Sequence, residues 1–132
     1  MSIILILIPF LAAFAILAGL AKARSIATIA ASANLLLGLG TVFCWKASIW
    51  DLSWKVLSKP NIHLSLGFYD GMSLVMVILS VLVLFAAVMS GKCPEGRDKL
   101  WYSSILLIGA GGLGAFLSTD LFFFYAFHEL AL

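Results

Sequence analysis

Apolar residues in this chain come in long blocks, and charged residues are confined largely to the gaps between them. The first block runs from Ser2 to Ala21, the second from Ile26 to about Trp45, the third from Ser73 to about Ser90, and the fourth from about Trp101 to Leu117. A run of ~20 apolar residues rising 1.5 Å each matches the ~30 Å hydrocarbon core of a bilayer, so each block predicts a spanning helix. Pro9 falls inside the first block, where bilayer helices tolerate proline if neighbours satisfy the freed carbonyl, and a kink is expected there. A fifth helix is predicted over 120–132, because Ser118-Thr119-Asp120 offers a capping oxygen to the free amides and a negative charge to the positive end of the dipole. Twelve residues from Leu121 to Leu132 fall short of the ~20 that a span requires, so this fifth helix reads as the truncated start of a longer one.

The gaps assign an orientation. Lys22 and Arg24 follow the first block, and Lys92, Arg97 and Lys99, with Glu95 and Asp98, follow the third. Basic residues favour the cytoplasmic side, which puts the N terminus outside. The longer outer loop, 46–71, carries Lys46, Lys55 and Lys59. Within it, Ile62, Leu64 and Leu66 alternate with His63 and Ser65 after the turn-forming Ser58-Lys59-Pro60-Asn61, which predicts a small hairpin with His63 on its solvent side. Trp45, Trp50, Trp54 and Tyr69 surround this loop, and Trp101 and Tyr102 follow Lys99, positions suited to rings at the headgroup level.

Composition agrees with the blocks: 64% of residues are hydrophobic, 11% are charged, and the mean hydropathy is +1.16. The chain is expected to be an all-α integral membrane protein with four transmembrane helices plus the truncated start of a fifth. A secretory signal peptide is the competing reading of the first block, but its positive charges follow the apolar run instead of preceding it. The net charge of +2 comes from scattered residues with no basic stripe, so nucleic acid is not an expected partner. Two cysteines, Cys44 and Cys93, make neither a disulfide framework nor a metal knuckle, and no metal site is expected.

Two motifs have structural explanations. "GAGGLG", Gly109 to Gly114, fits the spacing of a dinucleotide loop but lies inside one apolar run, where the glycines instead predict close helix packing. In "YDGMS", Tyr69 to Ser73, Asp70 or Ser73 is placed to cap the third helix. The ending "FFFYAFHELAL" is different in kind. Glu129 lies eight residues beyond Leu121, roughly 12 Å along the fifth helix and near the middle of a bilayer. An acid there is costly, about 2.5 to 3.5 kcal/mol on insertion scales for aspartate, and marks a functional candidate that requires a partner. Tyr125 and Ala126 share its helical face and carry no positive charge, while the adjacent His128 points about 100° away. Glu129 is the candidate for intramembrane proton transfer, and His128 is a weaker one.

Several of these segments together resemble a known family. "GFYDGMSLVMVILSVLVL", a short charged loop and "LLIGAGGLGAFLSTDLFFFYAFHELAL" are similar to the beginning of the antiporter-like membrane subunits of respiratory complex I. The resemblance covers most of the chain and is densest from Asp70 to Leu132. Its marks are Asp-Gly-x-Ser opening the third helix, glycines in the fourth, an aspartate opening the fifth, and an aromatic run reaching one glutamate. A tryptophan commonly precedes that glutamate in the family, where His128 stands here.

The resemblance implies a single N-terminal membrane segment, 1–132, of a longer subunit that contributes to proton translocation coupled to NADH:quinone electron transfer. It implies that Glu129 pairs with a lysine on a later helix. It also implies catalysis only as part of the oxidoreductase complex, with NADH, FMN, iron-sulfur clusters and quinone bound by other subunits and no cofactor in this chain. The implied partners are other membrane subunits of the complex, the lipid bilayer and protons, in a bacterial inner (plasma) membrane. Subunits of multi-subunit sodium/proton antiporters or membrane-bound hydrogenases remain alternative readings, as does a small structural or assembly membrane protein.

Overall fold

The first apolar block folds as a shorter helix than its length suggests, and the cause is Gly19. In the computed structural model, which describes residues 2–19, 22–43, 52–58, 61–66 and 71–132, helix α1 spans Ser2–Leu17. The N–H of Ala18 donates to the Phe14 carbonyl at 2.9 Å and that of Gly19 to the Ile16 carbonyl at 3.0 Å, with Gly19 at a φ of 74°. That left-handed conformation costs glycine no Cβ clash and is a common helix stop. Helix α2 then starts at Ala23 and runs to Phe43, α3 spans Gly71–Ser90, α4 spans Asp98–Leu117 and α5 spans Leu121–Ala131.

The expected set of spans is met in part. Among the described residues three helical stretches are long and apolar enough to cross a bilayer: Ala23–Thr41, Gly71–Ser90 and Asp98–Leu117. The apolar stretches Ile3–Leu17 and Leu121–Ala131 are shorter. Counting apolar residues overstated the first helix because the turn at Gly19 is itself apolar in composition. Between α2 and α3, strands β1 (Leu52–Ser58) and β2 (Asn61–Leu66) pair antiparallel, from Leu52 opposite Leu66 to Ser58 opposite Asn61, with an irregularity between Lys55 and Leu57. Cys44, Trp45, Trp50, Tyr69 and the expected Asp70 cap lie outside the described residues, as do the side chains of Trp54 and His63.

The bundle of α1 to α4 encloses two apolar clusters stacked along its axis. One joins Ala12, Ala13 and Ile16 of α1 with Ala27, Ala30 and Ala31 of α2, Leu84 and Val88 of α3, and Leu106 of α4. The other joins Leu5 and Ile6 with Val77 and Val81 and with Leu113 and Leu117. Tyr102 belongs to the first cluster and is buried, so it packs inward, in contrast to the headgroup position expected of it; Trp101 beside it stays on the surface. On α2 the inward stripe is Ala23, Ala27, Ala30, Ala31, Asn34, Gly38 and Thr41, whereas Ile29 and Leu36 face outward at 68% and 72% exposure. Small residues inside and large aliphatic ones outside suit a helix surrounded by lipid, where close backbone approach and not water exclusion drives packing.

Helix α4 makes the closest approaches. A side chain at Gly109 would strike Leu84 of α3, one at Gly111 would meet the backbone of Phe127 and Ala131 of α5 at 2.8 Å, and one at Gly114 would strike the Phe127 ring. The "GAGGLG" stretch is thus a two-sided packing surface, with one exception: Gly112 faces open space.

The α1–α2 turn and the α3–α4 loop lie at the same end of the bundle. The Lys99 ammonium sits 2.9 Å from where a Gly19 Cβ would be, close to the negative end of the α1 dipole. In the same loop Cys93 donates from Sγ to the Pro94 carbonyl at 3.3 Å. Its thiol is raised from 9.0 to about 11, first by desolvation and then by the hydrogen bond and negative charge of Asp98.

Two outcomes follow from these contacts. Gly111→Ala should weaken α5 docking, at a cost of about 1 to 3 kcal/mol for overpacking against backbone, while Gly112→Ala should leave the fold intact. Protease sensitivity of α5 in lipid bilayers, compared between the two variants, checks this. Because the thiolate is the reactive form, maleimide labelling of Cys93 near pH 8 should run about 100-fold slower than at a thiol of pKa 9.0, and Asp98→Asn should speed it up.

Candidate functional site

The candidate acid is carried by α5, and α5 begins where its sequence says it should. The Asp120 side chain accepts a hydrogen bond from the Phe123 N–H at 3.2 Å, and Asp120 is in extended conformation with φ −119° and ψ 153°. This N-cap satisfies one free amide of the first turn and sets a negative charge at the positive end of the dipole. At the other end the Leu132 N–H donates to the His128 carbonyl at 3.2 Å.

Phe123, Phe127 and Ala131 recur every four residues and form the face of α5 that packs on the bundle. Phe123 and Phe127 lie against the cluster of Leu113 and Leu117, and Phe127 and Ala131 enclose Gly111. Glu129 follows Phe127 by two residues, or about 200° around the helix. It therefore projects from the side opposite the packed face and is exposed, along with Phe122 and Tyr125 of the same face. Glu129 makes no hydrogen bond or ion pair with any described residue.

His128 is also exposed and stacks on Phe124, one helical turn back, with ring centroids 5.9 Å apart and 24° between planes. The two sequence candidates are thus carried on one helix but are not brought together. No group of three or more His, Cys, Asp or Glu side chains among the described residues could hold a metal ion. Chemically, the arrangement offers one carboxyl group, in the last turn of an apolar aromatic helix, able to take up or release a single proton. A cation to balance its ionised form must come from outside the described residues.

Sequence reasoning passed over one buried polar residue. Asn34 of α2 is fully buried and neither its Oδ1 nor its Nδ2 finds a hydrogen-bond partner among the described residues. Its signal was available: it is the single carboxamide on the small-residue stripe of α2.

Comparison with known proteins gives a consistent set of relatives. No family model matches the chain. The chloroplastic NAD(P)H-quinone oxidoreductase chain 4 of Mesostigma viride is 31% identical over 97 residues, which cover 69% of this chain and 19% of that protein. NADH-quinone oxidoreductase subunit M of Escherichia coli K12 is 33% identical over 89 residues, covering 67% of this chain and 17% of its own length. NAD(P)H-quinone oxidoreductase chain 4 1 of Synechococcus sp. strain JA-3-3Ab is 29% identical over 135 residues, covering 97% of this chain and 26% of its own. The chain spans between 17% and 26% of the length of these curated relatives. By sequence it is a relative of the subunit M and chain 4 proteins of NADH-quinone and NAD(P)H-quinone oxidoreductases.

Proposed function

We propose that this chain contributes to proton translocation coupled to NADH:quinone electron transfer, as part of a membrane subunit of respiratory complex I, with Glu129 as the group that takes up and releases the proton. The observation that carries this reading is an acid with no described partner, exposed in the last turn of an apolar helix. The names of the relatives support the assignment to a quinone oxidoreductase.

The chemistry follows from two opposing effects on the Glu129 carboxyl. Removal from water favours the neutral acid, and an approaching ammonium favours the carboxylate. A cation that moves toward and away from Glu129 therefore alternates its proton affinity, and the carboxyl binds a proton in one state and yields it in the other. The outward-facing side of α5, with Phe122, Tyr125 and Glu129, is the side from which such a cation would approach. His128, stacked on Phe124, lies off that line and is assigned at most a supporting role.

Electron transfer is assigned to other subunits. Two cysteines fall short of the four thiolates of a typical iron-sulfur cluster, and the glycine-rich stretch serves helix packing. The expected partners are accordingly the other membrane subunits of the complex, the bilayer and protons. The setting is a multi-pass arrangement in a bacterial inner membrane with the N terminus outside.

Glu129→Gln retains size and some hydrogen bonding but removes the titrating group. In vesicles carrying equal amounts of assembled complex, NADH-driven proton uptake should fall ~100-fold or more in this variant, within the range typical of a lost proton-transfer group. Glu129→Asp should retain more, because it keeps the acid and shortens only its reach. Full pumping by the Gln variant would refute the proton-transfer role, since a merely structural carboxyl would tolerate Gln at least as well as Asp.

A further inference from the structure

The α1 to α4 bundle handles its buried hydroxyls locally, and this isolates Asn34. Thr41 donates from Oγ1 to the Gly38 carbonyl at 2.6 Å and Ser103 from Oγ to the Leu100 carbonyl at 3.1 Å, each within its own helix. Such back-bonding hides a hydroxyl without any neighbour. Asn34 has no equivalent: at 0% exposure its carboxamide carries two donors and an acceptor, and both polar atoms are unpartnered among the described residues.

The position of Asn34 in the bundle explains what it can serve. The two apolar clusters divide between Ala31 and Leu35 on α2, between Ile6 and Ile8 on α1, and between Val81 and Leu84 on α3. Asn34 falls in that dividing layer, and the fully buried Pro9 lies just beyond it on α1. Proline has no N–H, so Pro9 cannot donate to the carbonyl of Leu5, one helical turn before it. Leu5 is itself 1% exposed, out of reach of outside water.

Helices α1 and α2 are antiparallel neighbours across the turn at Gly19, which allows their depths to be compared. Asn34 lies eleven residues past Ala23, roughly 16 Å into α2, and Leu5 lies twelve residues before Leu17, roughly 18 Å into α1. The Leu5 carbonyl is directed toward the C terminus of its helix, so its oxygen sits closer still to the level of Asn34. An orphaned carboxamide and a carbonyl without its helical donor are therefore at one depth, near the boundary between the two apolar clusters.

We infer that Asn34 and the Leu5 carbonyl together hold an internal water molecule at the middle of the bundle. A water can donate to both carbonyl-type oxygens and accept from the Asn34 amide, which meets the requirement of two to four polar partners for a buried water. The alternative of leaving these groups bare is costly, because unsatisfied polar groups in hydrocarbon each cost several kcal/mol. The inference rests on the N-terminal bundle alone and stands independently of the role proposed for Glu129.

The chain has only two asparagines, Asn34 and Asn61, which makes a direct test simple. In nanodiscs containing the full chain labelled with 15N at asparagine, the side-chain amide that disappears in Asn34→Leu should show cross-relaxation from water. No such transfer, with the amide resonance resolved, would overturn the site. A second measurement uses thermal unfolding. Asn34→Leu should lower Tm by about 3 to 6 °C, because it excludes the water and strands the Leu5 carbonyl. In a Pro9→Ala background, where a backbone N–H is restored to Leu5, the same substitution should cost less. A rise in Tm on Asn34→Leu, as replacement of a dry orphaned amide would give, or an equal loss in both backgrounds, would overturn the inference.

Discussion

The contact on which the candidate site depends is the glycine-mediated approach of α4 to α5. At Gly111 the backbone of α5 lies where a side chain would otherwise begin, and at Gly114 the Phe127 ring fills the corresponding space. This seats the Phe123, Phe127 and Ala131 face on the bundle and leaves the rotation of α5 little freedom. With that rotation set, Glu129 has to point away from α4. The acid is held outward by packing on the far side of its own helix, with no polar contact of its own.

A second constraint comes from the apolar surroundings. Within hydrocarbon a helix satisfies its own backbone except where a proline such as Pro9 removes a donor, and hydroxyl side chains are satisfied by bonding one turn back, as Ser32, Ser90 and Ser118 do. Polar groups that cannot be absorbed in this way stand out. Within the described helices these are Asn34, a carboxamide turned into the bundle, and Glu129, a carboxyl turned out of it. The inward one calls for a small polar occupant, and the outward one calls for a partner on another helix. The charged loop at the Lys99 end plays a different part, since its residues reach water and fix the order of the helices at that end.

The outward position of Glu129 also bears on how a proton carrier can work. A carboxyl buried in its own bundle would be locked by fixed neighbours. One presented on an apolar face takes its proton affinity from whatever docks there. The relatives are several times longer than this chain.

Much of this was legible from the chain itself. Hydrophobic blocks of near-bilayer length located the helices because no soluble fold exposes so much apolar surface, and Asp120 marked the start of α5 because a carboxylate at that position caps free amides. The glycines of α4 announced close packing, and Glu129 stood out by its cost in an apolar run. What the chain could not disclose depends on three-dimensional neighbours. That α1 stops at Gly19 was invisible to a count of apolar residues, since the turn is apolar too. That Tyr102 turns inward, that Gly112 touches nothing, and that Glu129 faces away while Asn34 faces in are matters of helix rotation. Residues a turn apart have the same composition whichever way the helix is turned, and only the packing of small residues against their neighbours chooses the face that is buried.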